Sequence, residues 1–300
     1  MNIKAFPKIF ALGTDYVQHI ADNDVQITEK VDGSQFSFGK LDGNLVTRSK
    51  GAMIFDGEQN AMFKIGVDYV HSIADKIPDN TIFYCEYLNK PKHNALTYER
   101  VPKNNLILFG VCDNTDKFVS KYEDLLKFGE LLDIEVVPLL YEGKIELKNI
   151  EFFDQLLDRE SVLGKAKIEG FVVKNYEQPF LLGGQPIPLM SGKYVSEGFK
   201  EVHRSTWKGE NESKSKWGLF MEGYKTEARW QKAVQHLSDK GLLDNSPKDI
   251  GILLNEVKDD ITSEEKEIIK EFLWKEYGNE LLRKAVVGLP EWYKKYLITR

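Results

Sequence analysis

The chain has little of what marks secreted, cysteine-stapled or membrane-embedded proteins. Only two cysteines, Cys85 and Cys112, occur in 300 residues, and both lie in apolar, strand-like runs. That argues against a disulfide framework or a cysteine-rich zinc site and predicts two buried free thiols. No stretch of about 18 apolar residues occurs, so no membrane span is expected. The opening Met1-Asn2-Ile3-Lys4 leads into mixed sequence without an apolar targeting core, and a reducing cytoplasm is the expected location. An excess of positive charge is also missing: 41 Lys and Arg stand against 47 Asp and Glu, a net charge of −6. This excludes indiscriminate coating of nucleic acid, but not a local basic face that grips phosphates. What is present, 42% hydrophobic and 29% charged residues, suits a globular protein with a sizeable core. Three hundred residues leave room for two domains.

The pattern along the chain changes once. Residues 25–28, 35–40, 44–48, 81–88, 105–112, 135–140 and 168–174 read as strands, with Asp42-Gly43 as a hairpin turn between the second and third. Residues 121–132 and 150–158 have helical spacing. Beyond about residue 205 the chain reads as helical. Residues 226–240 form one helix, Ser246-Pro247 starts another, Thr262 with Glu265 makes a capping box for a helix to Gly278, and Pro290 opens the last. The expected fold is therefore α+β: antiparallel sheets with helices over residues 1–205, then a small all-helical domain over 206–300, with a polar connector near 201–212.

The chemistry centres on Glu29-Lys30-Val31-Asp32-Gly33-Ser34. A lysine at a strand end followed by Asp-Gly suits a nucleophile held over a phosphate, because glycine lets the backbone approach closely. The pattern alone is weak, since Lys40-Leu41-Asp42-Gly43 repeats it ten residues later. The second copy falls at the tip of a hairpin, where Asp-Gly has a structural explanation, so Lys40 reads as a solvated turn lysine and Lys30 as the functional one. Further elements follow: Thr47-Arg48-Ser49-Lys50-Gly51, Phe83-Tyr84-Cys85-Glu86-Tyr87-Leu88, Leu106-Ile107-Leu108-Phe109-Gly110, Glu169-Gly170-Phe171-Val172-Val173-Lys174 and Gly192-Lys193-Tyr194-Val195. Each has a plain alternative. Phe109 sits in a run that could be buried strand, and Arg48 and Lys50 could be exposed cations at a strand end. Glu86 is harder to dismiss, because an unpaired carboxylate in an apolar strand is costly. Glu169 and Lys174, five apart, would face opposite sides of an ideal strand.

Taken in order, these six elements resemble the covalent nucleotidyltransferase superfamily of ATP-dependent DNA ligases, RNA ligases and capping enzymes. With its helical tail, the chain is most similar to the phage RNA ligase 2 group. The resemblance implies a nucleotidyltransferase (ATP-grasp-like ligase) domain and an ATP-dependent RNA ligase that joins 3′-OH and 5′-phosphate RNA ends through a lysyl-AMP intermediate. It implies ATP and Mg2+ or Mn2+ as cofactors, an RNA partner, a monomer, and the host cytoplasm if the chain is phage-encoded. Lys30 would attack the α-phosphate, and Lys174 and Lys193 would clamp it. Glu169 would bind or orient the metal, Glu86 would meet the ribose, Glu29 the adenine edge, and Phe109 would stack on the base. Arg48 would contact the ribose or a 3′-OH end. Two departures stand out: many relatives carry a second lysine where Val195 stands, which Lys200 could partly replace, and the phage group often has histidine at Asp32.

Residues 200–232 interleave basic side chains with Trp207, Trp217, Tyr224 and Trp230, a composition that suits stacking on single-stranded nucleic acid or packing in a core. Lys90, Lys92 and His93 form a smaller basic cluster, readable as a phosphate contact or as a solvated loop. A DNA ligase or capping-type guanylyltransferase, and a non-catalytic RNA-binding protein on a degenerate ligase fold, stay open as alternatives.

Overall fold

The computed structural model describes residues 3–51, 53–54, 62–94, 96–178, 180–182, 185–195, 220–221, 224–225 and 227–298. It divides into two compact units, Met1–Gly241 and Leu242–Arg300. The expected connector at 201–212, with Lys200, Trp207 and Trp217, lies outside the described residues.

The first unit is built on two sheets. One contains β1 (Phe10–Ala11), β2 (Val25–Lys30), β9 (Leu139–Gly143), β10 (Gly170–Asn175) and β13 (Met190–Val195), in the order β1-β13-β10-β2-β9. The other contains β3 (Ser34–Leu41), β4 (Asn44–Ser49), β5 (Met53–Ile54), β6 (Thr81–Tyr87), β7 (Leu106–Asp113) and β8 (Glu135–Val136), in the order β5-β4-β3-β6-β7-β8. A small hairpin of β11 (Phe180–Leu182) and β12 (Gln185–Ile187) stands apart. The β3–β4 turn is the one expected: Asp42 and Gly43 have φ of 48° and 78°, the paired positive values of a hairpin turn that follows strand twist.

Each sheet has one face closed by helices. Strand alternation sends Val25, Ile27, Phe171, Val173 and Tyr194 to one side of the first sheet, where they pack with Phe153 and Leu156 of α3 (Ile150–Leu157). Asn149 caps that helix, accepting from the Phe152 N–H at 3.1 Å. The second sheet buries Phe36, Phe38, Phe83 and Tyr87 with Val70 of α1 (Lys64–Ser72) and Leu125 of α2 (Tyr122–Leu132). The opposite faces turn towards each other, with Lys174 of the first sheet donating to the Phe109 carbonyl of the second, and the partly accessible residues between them line a cleft. The smaller clusters there join Val31 to Ile107 and Val137, and Phe6 to Tyr84 and Leu189. Cys85 and Cys112 are buried and free.

One run expected to be a single strand serves both sheets. Residues 135–140 split at Pro138: Glu135–Val136 pairs in parallel with β7, and Leu139–Gly143 pairs antiparallel with β2. Proline has no N–H for a ladder, so the chain leaves one sheet there, and the freed Pro138 carbonyl accepts from the Glu29 N–H at 3.2 Å.

Also in the first unit, α4 (Glu227–Asp239) ends before Gly241, whose φ is 65°. The second unit begins with a capping box of Ser246 and Asp249, followed by α5 (Ile250–Ala285) and α6 (Leu289–Ile298). The expected helix start at Thr262 is not there. α5 runs through it for 36 residues, and the Thr262 hydroxyl donates back to the Lys258 carbonyl at 2.7 Å. With no proline or glycine between Ile250 and Thr262 except Gly251 in the first turn, nothing interrupts the hydrogen-bond ladder. Among the described residues, no helix is long and apolar enough to cross a membrane.

Candidate active site

Register decides which side chains meet. In the first sheet Lys30 lies opposite Gly170, which lies opposite Val195; Thr28, Val172 and Lys193 form the next row of that face, and Gln26, Lys174 and Ser191 the row after. Directly paired residues share a face, so Lys30, Lys174 and Lys193 all stand on the side away from the helix-covered core. The second sheet presents Glu86 and Phe109 to the same cleft. A bulge between Tyr84 and Cys85 leaves Phe109 as the extra residue of β7, and such a bulge re-aims a side chain. The burial pattern agrees: away from their ends these strands are buried, yet Glu86, Phe109 and Lys193 within them, and Lys30 at the end of β2, are partly accessible.

Lys30 ends β2, and its Nζ donates to Oε2 of Glu169 at 2.5 Å. Burial works against the Lys30 charge, but the carboxylates of Glu169, Glu86 and Asp32 outweigh it and hold the ammonium above the ordinary lysine range. Glu169 reaches Lys30 because β10 starts only at Gly170. Strand alternation therefore does not govern it, and the five-residue spacing to Lys174 is no obstacle. Gly170 is needed there, since a Cβ would lie 2.2 Å from the Tyr194 carbonyl oxygen.

Lys174 is 2% exposed. Its Nζ donates to the Phe109 carbonyl at 2.5 Å and lies 5.8 Å from the centre of that ring. Burial, with no carboxylate to oppose it, brings its amine down to about 7. Burial likewise pushes the Glu86 carboxyl up to about 8, against the pull of Lys30. Two groups displaced towards neutrality from opposite sides, in one cleft, are a feature of sites that handle protons and phosphates.

The remaining expected residues are placed differently. Glu29 points to the other side of β2, where its carboxylate accepts from the Ser161 hydroxyl at 2.5 Å and the Val162 N–H at 3.1 Å. Arg48 on β4 donates to the Ile3 carbonyl at 3.3 Å, on the cleft side of the second sheet. Lys40 sits at the far end of β3, roughly 20 Å from Ser34 at about 3.3 Å per residue, in the hairpin where Gly43 N–H donates to Asp79. His93, read as part of a basic loop, is 1% exposed, whereas Lys90 and Lys92 are exposed. Spacing on the sequence carried no signal for His93. Trp230 of α4 is 46% exposed.

Glu169 and Glu86 are close enough to Lys30 and to each other to interact. Such a pair suits a hard divalent cation, which phosphoryl-transfer sites hold through one or two carboxylates together with substrate phosphates. Among the described residues no cluster of three or more His, Cys, Asp or Glu side chains is assembled for a metal. A separate hollow of about 360 Å3, lined by Thr81, Asp113, Lys117 and Phe128 among others, contains none of the expected site residues.

The fold is similar to a mutant RNA ligase of Naegleria gruberi solved with ATP and Mn, at a TM-score of 0.50 and 17% identity over 68% of this chain and 60% of that one. The same ligase solved with pyrophosphate gives a TM-score of 0.48 and 18% identity over 67% and 58%. The chain thus spans about three fifths of the length of these solved ligases. No curated protein sequence matches it. Residues 23–187 match the RNA ligase family profile, a stretch that contains Lys30, Arg48, Glu86, Phe109, Glu169 and Lys174. Because that match covers more than half of the 300 residues, the chain belongs to the RNA ligase family.

Proposed function

We propose that the protein is an ATP-dependent RNA ligase that forms a Lys30–AMP intermediate, passes AMP to a 5′-phosphate, and joins that end to a 3′-OH. The observation that supports this best is the placement of Lys30 Nζ at the edge of a cleft, against Glu169, on the same sheet face as Lys174 and Lys193. In the first step the Lys30 nitrogen bonds to the α-phosphorus of ATP. The bond to the bridging oxygen breaks, and pyrophosphate leaves with the electron pair. Phosphoryl transfer of this kind is governed by positioning and charge stabilisation, and the two other lysines of the face suit that task.

Lys30 must lose its proton before it attacks, yet its carboxylate neighbours hold the proton on. Mg2+ or Mn2+, bound by Glu169 with a contribution from Glu86, would supply neutralisation of the phosphates. Engaging Glu169 elsewhere removes the strongest support of the ammonium, and burial then favours the free amine. Phe109 offers a face for the base and Glu86 an acceptor for the ribose. Arg48 meets the ribose or the 3′-OH end by exchanging its bond to Ile3. Glu29 reaches the adenine edge only by giving up Ser161 and Val162. In this reading residues 1–205 carry the nucleotide chemistry of a monomer, and the helical remainder, 206–300, serves RNA.

The test is label transfer from α-labelled ATP. Lys30→Ala abolishes it and Lys40→Ala does not; a labelled Lys30 variant overturns the proposal. Parallel arms with GTP, and with matched RNA and DNA nicks, separate the RNA ligase from a capping enzyme or a DNA ligase.

A further inference from the structure

The turn that follows Lys30 is held by neighbouring parts of the chain, residues 89–94 and 96–98. The Asn94 amide donates to the Gly33 carbonyl at 2.7 Å and to the Asp32 carboxylate at 3.2 Å. The Leu96 N–H donates to the other oxygen of Asp32 at 2.8 Å, and the Asp32 N–H donates to the Tyr98 hydroxyl oxygen at 2.8 Å. His93 completes the set from behind the second sheet. Its Nδ1 accepts from the Asn89 N–H at 3.1 Å, so in the neutral ring the proton sits on Nε2, 2.9 Å from the Ser34 hydroxyl, to which it donates. The two parts are joined by Tyr98 N–H to the Pro91 carbonyl at 3.0 Å. Asp32, Gly33 and Ser34 are thus each gripped by a group from these neighbouring parts.

A solvated loop that merely carries Lys90 and Lys92 has no reason to bury a histidine or to spend an asparagine on two successive residues of a turn. Nor does the His93 contact face the cleft. Ser34 pairs with Tyr87 on the helix-covered side, where the His93 ring stands edge-on to Tyr87, centres 6.0 Å apart. What they do is fix the downstream end of the nucleophile's backbone, as the β10 pairing at Gly170 fixes the upstream end.

We propose that Asn89, His93, Asn94, Leu96 and Tyr98 form a clamp on the nucleophile turn, with His93 and Asn94 as positioning residues that hold Lys30 in line for attack. The clamp rests on the assignment of Lys30 as the nucleophile. An amine displaced by about 1 Å from its line of attack loses on the order of a hundredfold in rate, while ATP held by other residues still binds.

The experiment measures the single-turnover rate of adenylate formation on Lys30, and its ATP dependence, in full-length Asn94→Ala, His93→Ala, His93→Gln and His93→Asn. Thr97→Ala, an exposed position between Leu96 and Tyr98, is the control. Expected are rates lowered tenfold or more at saturating ATP in Asn94→Ala and His93→Ala, with half-saturating ATP within about twofold of wild type. His93→Gln, which keeps a donor at the Nε2 position, recovers more of the rate than His93→Asn, and Thr97→Ala matches wild type. Should His93→Ala fail to fold, Asn94→Ala and His93→Gln carry the test. The proposal is overturned if the variants keep the wild-type rate, if only the ATP dependence moves, or if the loss equals the fraction of unfolded protein. A wild-type protein that never labels Lys30 overturns the nucleophile assignment, and the clamp with it.

Discussion

Lys30 and Glu169, 139 positions apart in the chain, meet at 2.5 Å. The contact joins the end of β2 to the residue just ahead of β10, and it decides the resting state of the site. An ammonium held above the ordinary lysine range is a poor nucleophile.

Glu169→Gln removes the charge but keeps the shape. Burial then has less to oppose it, so the Lys30 amine titrates at lower pH than in wild type. Competitive acylation of Lys30 followed by mass spectrometry across pH 8–11 reads this directly. A raised lysine stabilises the folded protein fully below its unfolded value, and that contribution is lost as pH rises through the folded value. Accordingly, the alkaline loss of stability in wild type is weakened in Glu169→Gln. An unchanged Lys30 titration would show that Glu169 does not set its charge.

Lys174 shifts the other way. Below about 7 its amine is charged and can hold an anion; above that it is neutral in the free protein. ATP affinity, followed by calorimetry, therefore falls as pH rises from 6 to 8.5. Lys174→Arg, charged throughout, flattens that slope. The unfolded chain binds the Lys174 proton up to about 10.4, so stability rises with pH from about 7 to about 10.4 on this account. Lys174→Met is expected to be inactive yet more stable at pH 7 by about 1–2 kcal/mol, read from the denaturant midpoint.

Glu86, with its carboxyl pushed up to about 8 by burial, is mostly neutral at pH 7. Glu86→Gln then binds ATP within a few-fold of wild type at pH 7, whereas Glu86→Ala loses about tenfold or more. Gln has the shape of a protonated Glu, so the Glu86→Gln variant and wild type diverge only above about pH 8. Equal losses in Gln and Ala variants at pH 7 would contradict a neutral carboxyl.

The two Lys-x-Asp-Gly copies separate at their glycines. A Cβ on Gly33 would lie 2.7 Å from the Tyr87 carbonyl oxygen and 2.8 Å from Glu86 Cγ, whereas one on Gly43 meets nothing within 4 Å. Gly33→Ala is expected to cost about 2–3 kcal/mol and to slow adenylylation at least tenfold. Gly43→Ala carries only the strain of its φ of +78°, about 1 kcal/mol, and labels normally. Chemical unfolding and label transfer check both.

Much of this was legible before the fold was known, for reasons particular to each residue. Asp42-Gly43 between alternating segments left one reading of Lys40 once a hairpin was inferred, because two consecutive positive φ values favour those residue types. The strands carrying Lys30, Glu86 and Phe109 followed from period-two patterns. Thr262 misled because its capping-box spacing with Glu265 is a local signal, overridden where the ladder of α5 continues. The run at 135–140 misled because both halves are apolar and only Pro138 hints that they belong to different sheets.

By itself, the sequence determined the turn chemistry, the strand periods and the ordered set of Lys30, Arg48, Glu86, Phe109, Glu169, Lys174 and Lys193. Those depend on neighbours within a few residues or on the succession of motifs. The tertiary structure alone decided that Glu169 stands outside its strand and reaches Lys30, that Glu29 turns away to Ser161, and that His93 lies buried behind Ser34. Each depends on where a strand begins or which distant segment packs against it. Register and burial are settled by pairing between residues far apart in sequence, so no local pattern encodes them.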